Sequence, residues 1–367
     1  MAKNRNLNSA AREKNDEFYT QYDDIQRELN CYYLYDENFL RGKTVLLPCD
    51  DPEYSNFTKF FTLNFDIYGL KKLISTSYAA EKKKFIYQPM RSLFDEFDDW
   101  SEPQFDESKD FHHGRIYSLE EKDLAAVDYP LKALQKWEYL EGDGDFRSAE
   151  VKKLRDEADV IITNPPFSMF REFLAWIMAA NKKFLIIGNL NNITFKNIFP
   201  LIKADKIWLG NTGGHLWFTV PAEYEEKATD FKIDEDGQKW RRMGNIGWFT
   251  NLDSAKRHEQ LLMMNMEDNI NFNPHIRGVG YQKYDNYDAI EVPATDAIPS
   301  DYDGVMGVPI TFLAKYNPEQ FEILGHTSAN DLSPAVEALR TDPKNRNRGL
   351  INGQTKYDRL LIRHRRK

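Results

Sequence analysis

Only two cysteines, Cys31 and Cys49, stand in 367 residues, too few for a disulfide framework or a metal knuckle. A reducing compartment is therefore expected, and no metal site. Apolar runs are short as well: none approaches the roughly 20 residues that span a bilayer. The opening, MAKNRNLNSAAREK, also lacks the apolar segment of a secretion signal. A cytoplasmic protein without membrane contact is the expectation. No G-x-G-x-x-G follows the first strand-like run, which disfavours a dinucleotide-binding loop. An excess of positive charge is missing too. The net charge of −9 argues against a polyanion bound over the whole surface. Distribution qualifies that sum. Asp95 to Asp110 is a concentrated acidic block, whereas Lys3, Arg5, Arg12 and Lys14 lie near the start and Arg363, Arg365, Arg366 and Lys367 near the end. An acidic protein can hold a nucleic acid in a local basic cleft. A solvated terminus is the other reading of either basic end.

With 41% hydrophobic residues, the chain can bury a large core in one big or two modest domains. Thr44–Leu47, Lys72–Thr76, Val160–Thr163 and Lys183–Gly188 read as short buried strands. Segments such as Met169–Met178 carry helical spacing, with Phe170, Phe173, Leu174 and Ile177 on one stripe. Later runs at Lys206–Gly210, Leu216–Val220 and Ile246–Leu252 have no helices between them. Alternation followed by late strands predicts an α/β fold, a mainly parallel sheet finished by an antiparallel hairpin. From about Asn271 the texture changes to short aromatic and basic clusters, among them Arg277, Tyr281, Lys283, Tyr284 and Tyr287.

The stretch with the most chemistry is Asn164-Pro165-Pro166-Phe167, which ends a buried strand and precedes an amphipathic helix. Ligands of open α/β sheets bind at that end of the strands. Two prolines stiffen the loop and give up their N–H groups, so its carbonyls can face a ligand. Asn164 Oδ1 and the Pro165 carbonyl can together accept both hydrogens of an exocyclic amine. That grip localises the nitrogen lone pair, and Phe167 offers a flat face for the ring carrying the amine. A strand end with a proline turn and a core Phe is the plain structural alternative.

The quartet resembles the signature of amino-methyltransferases. Three further segments, DEFYTQ at Asp16–Gln21, CDDPEYSNF at Cys49–Phe57 and DYDGVMGVPITFL at Asp301–Leu313, extend the likeness. Together they make most of the chain similar to the EcoRI-type DNA adenine-N6 methyltransferases. The resemblance implies a class I, Rossmann-like fold, S-adenosylmethionine as cofactor and duplex DNA as substrate. It also implies that the Phe-Tyr-Thr segment closes over the methionine end of the cofactor, with Thr20 reaching the carboxylate and Tyr19 packing. Cys49, Asp50, Asp51 and Asn56 fall on the first cofactor loop. There an acidic strand end can receive an ammonium and the next helix a carboxylate. Helix capping is the alternative role for Asp50 and Asp51. An acid that would bind the ribose is missing after Lys72–Thr76, and Glu81 is the nearest one. In Gly142-Asp143-Gly144-Asp145-Phe146 the glycines permit a tight turn, and the resemblance assigns Asp145 to the adenine amino group of the cofactor and Phe146 to its ring.

The resulting expectation is a flexible arm over 1–15, a methyltransferase domain over 16–270 and a DNA-recognition region over 271–367. The target base would be flipped out of the duplex to reach Asn164. Asn191, Arg277, Tyr281 and Lys283 are the candidate DNA contacts. Basic residues interleaved with tyrosines can meet phosphates and stack on bases. The Gly210–Gly214 turn is either a plain hairpin loop or part of the DNA side. A monomer suffices for a reaction on one strand at a time, and a restriction endonuclease can share the site without contact. Two other functions remain open: amino-methyl transfer to cytosine N4, RNA or protein glutamine, and noncatalytic DNA binding by a relic fold.

Overall fold

Val45, Leu46 and Leu47 are wholly buried, as are Ile161 and Ile162 beside them, because both strands are covered on two faces. These runs lie at the middle of the main sheet in a computed structural model. It describes residues 19–79, 106–127, 130–220, 224–328, 331–342 and 348–365. The N-terminal arm, Glu81 and the acidic block up to residue 105 lie outside the described residues. The chain divides into two compact units. One runs to Leu190 and includes Gly210–Leu252; the other comprises Asn191–Leu209 and everything from Asp253 onward.

The first unit is organised on a nine-stranded sheet: β1 (Thr44–Leu47), β2 (Lys72–Thr76), β3 (Arg115–Leu119), β4 (Glu138–Tyr139), β5 (Val160–Thr163), β6 (Lys183–Asn189), β7 (Trp208–Thr219), β8 (Phe231–Ile233) and β9 (Lys239–Thr250). Their spatial order is β4-β3-β2-β1-β5-β6-β9-β7, with β8 paired to β9. The four central strands, β2, β1, β5 and β6, are parallel. Register aligns their carboxyl ends: Leu47 faces Ser75, and Thr163 faces Ile186. Loops leaving these strands therefore emerge along one edge.

Helices Tyr22–Tyr35, Asn56–Leu63 and Phe170–Ala179 pack their apolar stripes on the sheet. On the last of these, Phe170, Phe173, Leu174 and Ile177 are buried, as the spacing predicts. Each fully buried side chain of this size contributes about 1.5–3 kcal/mol.

Three differences from the sequence reading have simple causes. The run RIYSL, which the sequence reading leaves without an element, forms β3, antiparallel to β2, with β4 beyond it. Its burial alternates, so Arg115 and Ser118 interrupt the apolar signal without ending the strand. Next, Lys206–Gly210 and Leu216–Val220 join into the single strand β7. It passes through Gly213 and Gly214 at φ of 155° and 104°. A Cβ on Gly213 would stand 3.1 Å from Gly247 Cα, so glycine permits close backbone approach there. Finally, β9 begins at Lys239 rather than Ile246, its first half lying outside the core. The sheet is thus parallel in the centre and antiparallel at both sides.

The second unit holds β10 (Ile290–Glu291), β11 (Met306–Pro309), β12 (Phe321–His326), β13 (Leu350–Ile351), β14 (Gln354–Thr355) and β15 (Arg359–His364). A four-stranded sheet has the order β10-β11-β15-β12, and β13 pairs with β14. Tyr284, Tyr287, Leu324, Val336 and Leu361 form part of its core. Two of the tyrosines in the aromatic-basic stretch are therefore packing residues. Glu291 and Arg359 are nearly buried and pair at 2.8 Å across that sheet.

Candidate functional site

Three loops meet at the carboxyl edge of the parallel strands: 48–51 after β1, 77–79 after β2 and 164–167 after β5. Asp50 ties the first to the third. Its carboxylate accepts from Ser55 Oγ at 2.7 Å and from Thr163 Oγ1 at 2.6 Å. Ser55 is the N-cap of helix Asn56–Leu63, and its Oγ accepts from the Phe57 amide at 3.0 Å. Asp50 therefore supports the cap from behind, while Asp51 receives the Glu53 amide at 3.0 Å. Burial pushes the Asp50 carboxyl up to about 7; the Thr163 and Ser55 hydroxyls pull against that rise, and Asp51 adds to it. The Cys49 thiol is also driven up, first by burial and then by Asp50, with a smaller effect from Asp145.

The Tyr19–Gln21 segment lies across this edge. The Tyr19 amide donates to the Thr219 carbonyl at 3.1 Å. Thr20 is buried and central: Asn56 Nδ2 donates to its carbonyl at 2.8 Å, and Asn164 Nδ2 donates to its hydroxyl at 3.2 Å. Thus one set of bonds ties Thr20 to Asn56 and Asn164 and a second ties Asp50 to Ser55 and Thr163, and the chain couples the two, since Ser55 precedes Asn56 and Thr163 precedes Asn164. Pro165 is buried and Pro166 half-buried. The Phe167 ring meets Phe218 of β7 edge-on, with centroids 6.3 Å apart.

The Gly142–Phe146 turn arrives from after β4 and lies against the end of β2. Ala79 donates to the Asp143 carbonyl at 2.8 Å. Gly144 has φ of +80°, and a Cβ there would come within 2.1 Å of the Ser77 carbonyl oxygen, so no other residue fits without rearrangement. Asp145 forms a two-pronged pair with Arg147, whose Nη2 stands 2.6 Å from Oδ2 and whose Nε stands 2.9 Å from Oδ1. Phe146 is buried against Phe173 and Trp176, with centroids at 5.1 and 5.6 Å. Its ring packs on the helix that follows the Asn164 loop.

Sequence reasoning overlooked several side chains that hold these loops. Thr163 is one, although a polar residue ending an apolar run is visible in the sequence. Arg147 is another. Glu53, inside the CDDPEYSNF segment, forms a nearly buried ion pair with Arg115 and accepts from Trp137 Nε1 at 2.8 Å. It anchors the first loop to β3. Glu28, fully buried on helix Tyr22–Tyr35, accepts from the Asn211 and Thr212 amides at 2.8 and 2.6 Å. No local sequence signal announces that contact, because its partners on β7 lie more than 180 residues away.

In the second unit, Arg277 and Lys283 are exposed, and Asn191 is exposed at the start of that unit. Tyr281 donates its hydroxyl to the Ala297 carbonyl at 2.7 Å, which fixes the ring. Among the described residues, no group of three or more His, Cys, Asp or Glu is placed to hold a metal ion, and no helix is long and apolar enough to cross a membrane.

Comparison with known proteins follows the same residues. The profile of the family described as "Adenine-specific methyltransferase EcoRI" matches residues 6–365. The chain is 40% identical to the Type II methyltransferase M.EcoRI of Escherichia coli, over all of this chain and 98% of that protein. It is 32% identical to the Type II methyltransferase M.MpnI of Mycoplasma pneumoniae, over 98% of each chain. It is 31% identical to the Type II methyltransferase M.MgeORF184P of Mycoplasma genitalium, over 97% of this chain and 98% of that one. No solved structure matches significantly.

Proposed function

The chain belongs to the EcoRI family of adenine-specific methyltransferases, and from that premise we propose that it methylates N6 of an adenine in duplex DNA, with S-adenosylmethionine as donor. The observation that carries the reading is the network joining Thr20, Asn56, Asp50, Thr163 and Asn164 at the edge of the parallel strands. It immobilises the Asn-Pro-Pro-Phe loop before any ligand arrives, and catalysis of this kind depends on positioning.

The residues at this edge suit the donor. Asp51 and Asp145 provide carboxylates for its ammonium and adenine amino groups. Thr20 and the amides at the start of helix Asn56–Leu63 can meet its carboxylate. The turn held open by Gly144 brings Asp143 and Asp145 to β2, whose own end carries no acid. Cys49, Asn56 and Tyr19 line the same edge, and Phe146 supports it from the helix side. S-adenosylmethionine, when bound, supplies a methyl group on a sulfonium.

Asn164 and the Pro165 carbonyl accept the adenine amino hydrogens, Pro166 keeps the loop stiff, and Phe167 presses on the base. The Asn164 amide is oriented by its donation to Thr20. The amine becomes more nucleophilic as its lone pair leaves conjugation, and its proton departs only after the nitrogen has gained charge. No strong base is required. A stacked base cannot reach a loop of this shape, so the target is flipped out. The parallel centre with β9 inserted between β6 and β7 supports a class I methyltransferase arrangement. We assign DNA recognition to the second unit, where Arg277 and Lys283 can meet phosphates and Asn191 and Tyr281 lie among candidate contacts. One chain holds every reactive side chain named, so a monomer suffices.

Labelled S-adenosylmethionine incubated with mixed-sequence duplex DNA, followed by nucleoside analysis, tests the proposal. Label is expected in N6-methyladenine. Label in N4-methylcytosine would overturn the base assignment, and unlabelled DNA the substrate class.

A further inference from the structure

The Asn211–Gly213 stretch of β7 faces the first turns of helix Tyr22–Tyr35 across a cavity of about 440 Å³. Arg27, Asp24 and Trp217 complete the walls used in the argument. That volume is within the range of small-ligand sites. In its lining Arg27 pairs with Asp24, and the Thr212 hydroxyl and Asn211 Nδ2 donate to Glu28 at 2.7 and 3.4 Å; Arg27 has more N–H donors than one carboxylate takes, the Thr212 oxygen can still accept, and Trp217 gives a flat face for a ring. The Arg27–Asp24 pair leaves the interior without a net cation for a phosphate, and the second Asp24 oxygen can accept from an exocyclic amine.

Cations stand at the rim instead. Lys232 Nζ lies 4.9 Å from the Trp217 ring centre and 5.0 Å from that of Trp240, and Arg242 Cζ lies 6.0 Å from Trp217. Trp240 is Lys232's cross-strand partner and is fixed by donating Nε1 to Asp234 at 2.7 Å. Arg242 also pairs with Asp230 at 3.2 Å, so its charge is shared. The cavity wall is rigid because Glu28 grips the Asn211 and Thr212 amides from behind, and a preformed site loses less freedom on binding.

We propose that this cavity takes a nucleotide of the DNA that neighbours the flipped adenine, its base against Trp217 and its edge toward Asn211, Thr212 and Arg27, with Lys232 and Arg242 meeting the adjoining phosphates. The proposal rests on the DNA-methyltransferase reading above. The occupant is a neighbour because Trp217 and Phe218, the ring that touches Phe167, are successive residues of β7 and so point to opposite faces of the sheet. One nucleotide cannot fill both places.

The test uses full-length protein and a labelled duplex carrying the methylated site, alongside duplexes altered at flanking pairs. Trp217→Ala is expected to weaken duplex binding about tenfold, Trp217→Phe to restore part of it, and Asn211→Ala to narrow the preference for the native flank about tenfold. Calorimetry should find S-adenosylmethionine affinity unchanged in each. Variants that bind and discriminate like wild type would overturn the site. Photocrosslinking of wild-type protein to duplexes bearing 5-iodouracil in the flank guards against a folding defect. Crosslinks within 211–217 support the proposal, and crosslinks confined elsewhere defeat it. If wild-type protein neither binds nor methylates any duplex, the DNA reading itself has failed, an outcome visible before any variant is made.

Discussion

Thr163 donates its hydroxyl to Asp50 at 2.6 Å, joining the residue just before Asn164 to the loop after β1. The two are 113 positions apart in sequence; Thr163 ends β5, and Asp50 lies in the loop that leaves β1, its parallel neighbour. Their bond fixes the spacing between the proposed cofactor loop and the proposed catalytic loop. Thr163→Val keeps the β-branched shape and removes the donor, leaving part of a buried carboxyl unmatched. A loss of roughly 1–3 kcal/mol in stability is expected, read from denaturant midpoints at constant slope. Methyl transfer should fall further than that loss explains, since the folded fraction stays near one. Unchanged turnover would show that the clip does not set the catalytic geometry.

The same carboxyl predicts a pH effect. Burial raises Asp50 from about 4 when unfolded to about 7 when folded, so the folded state holds its proton more tightly. That contribution to stability is complete below pH 4 and is lost as pH climbs through 7. Asp50→Asn cannot lose a proton. The melting temperature of the variant minus that of wild type should therefore rise between pH 4 and pH 7. A flat difference would mean that Asp50 titrates like an exposed carboxyl.

How the sequence conveyed these features depended on range. Val160–Thr163 and Thr44–Leu47 were legible to the residue because a doubly covered parallel strand reads as an apolar run, and Lys72–Thr76 because its Leu-Ile pair and β-branched end read as a short strand. The strand Arg115–Leu119 was not, since one face is wet and five residues give a faint alternation. Asp50 and Asn164 were legible as residues of interest through their strand ends and family likeness. The bonds of Asn164 to Thr20 and of Asp50 to Thr163 were invisible, because hydroxyls carry no periodic signal and the contacts span long separations. Tyr284 and Tyr287 illustrate the reverse: beside basic residues they suggested a binding surface, and they fill a core.

Asn164→Ala removes the amide that donates to Thr20 and is assigned to the substrate amine. Turnover is expected to drop at least about tenfold, equivalent to about 1.4 kcal/mol or more of transition-state stabilisation. Asn164 is only half-buried, so the melting temperature should move little. A wild-type turnover number would remove Asn164 from its role. A fall in kcat/KM caused wholly by a higher KM would assign it to binding alone.

Gly144→Ala tests whether the Asp143–Asp145 turn matters to the cofactor. The left-handed backbone costs an alanine about 1–2 kcal/mol, and its methyl would strike the Ser77 carbonyl. The turn should shift away from β2 and carry Asp145 with it. Calorimetry is expected to show weaker S-adenosylmethionine binding, with duplex affinity changed much less. Equal losses of both affinities would point to general unfolding of the edge.

Glu28 is a buried carboxylate held by neutral donors. Its oxygens accept from the Asn211 and Thr212 amides, from the Thr212 hydroxyl at 2.7 Å and from Tyr32 at 2.9 Å. Glu28→Ala would leave two backbone donors without that partner, at about 1–3 kcal/mol each. Glu28→Gln has one oxygen left to accept and presents an NH2 group to the other amide, so it recovers only part of the loss. Stability should therefore rank wild type, then glutamine, then alanine in thermal melts. Amide hydrogen exchange gives the sharper reading. Asn211 and Thr212 should lose protection in both variants before the β1 and β5 amides do, because the carboxylate holds β7 locally while the parallel centre rests on its own ladder. Simultaneous loss at all four places would make Glu28 part of the global fold.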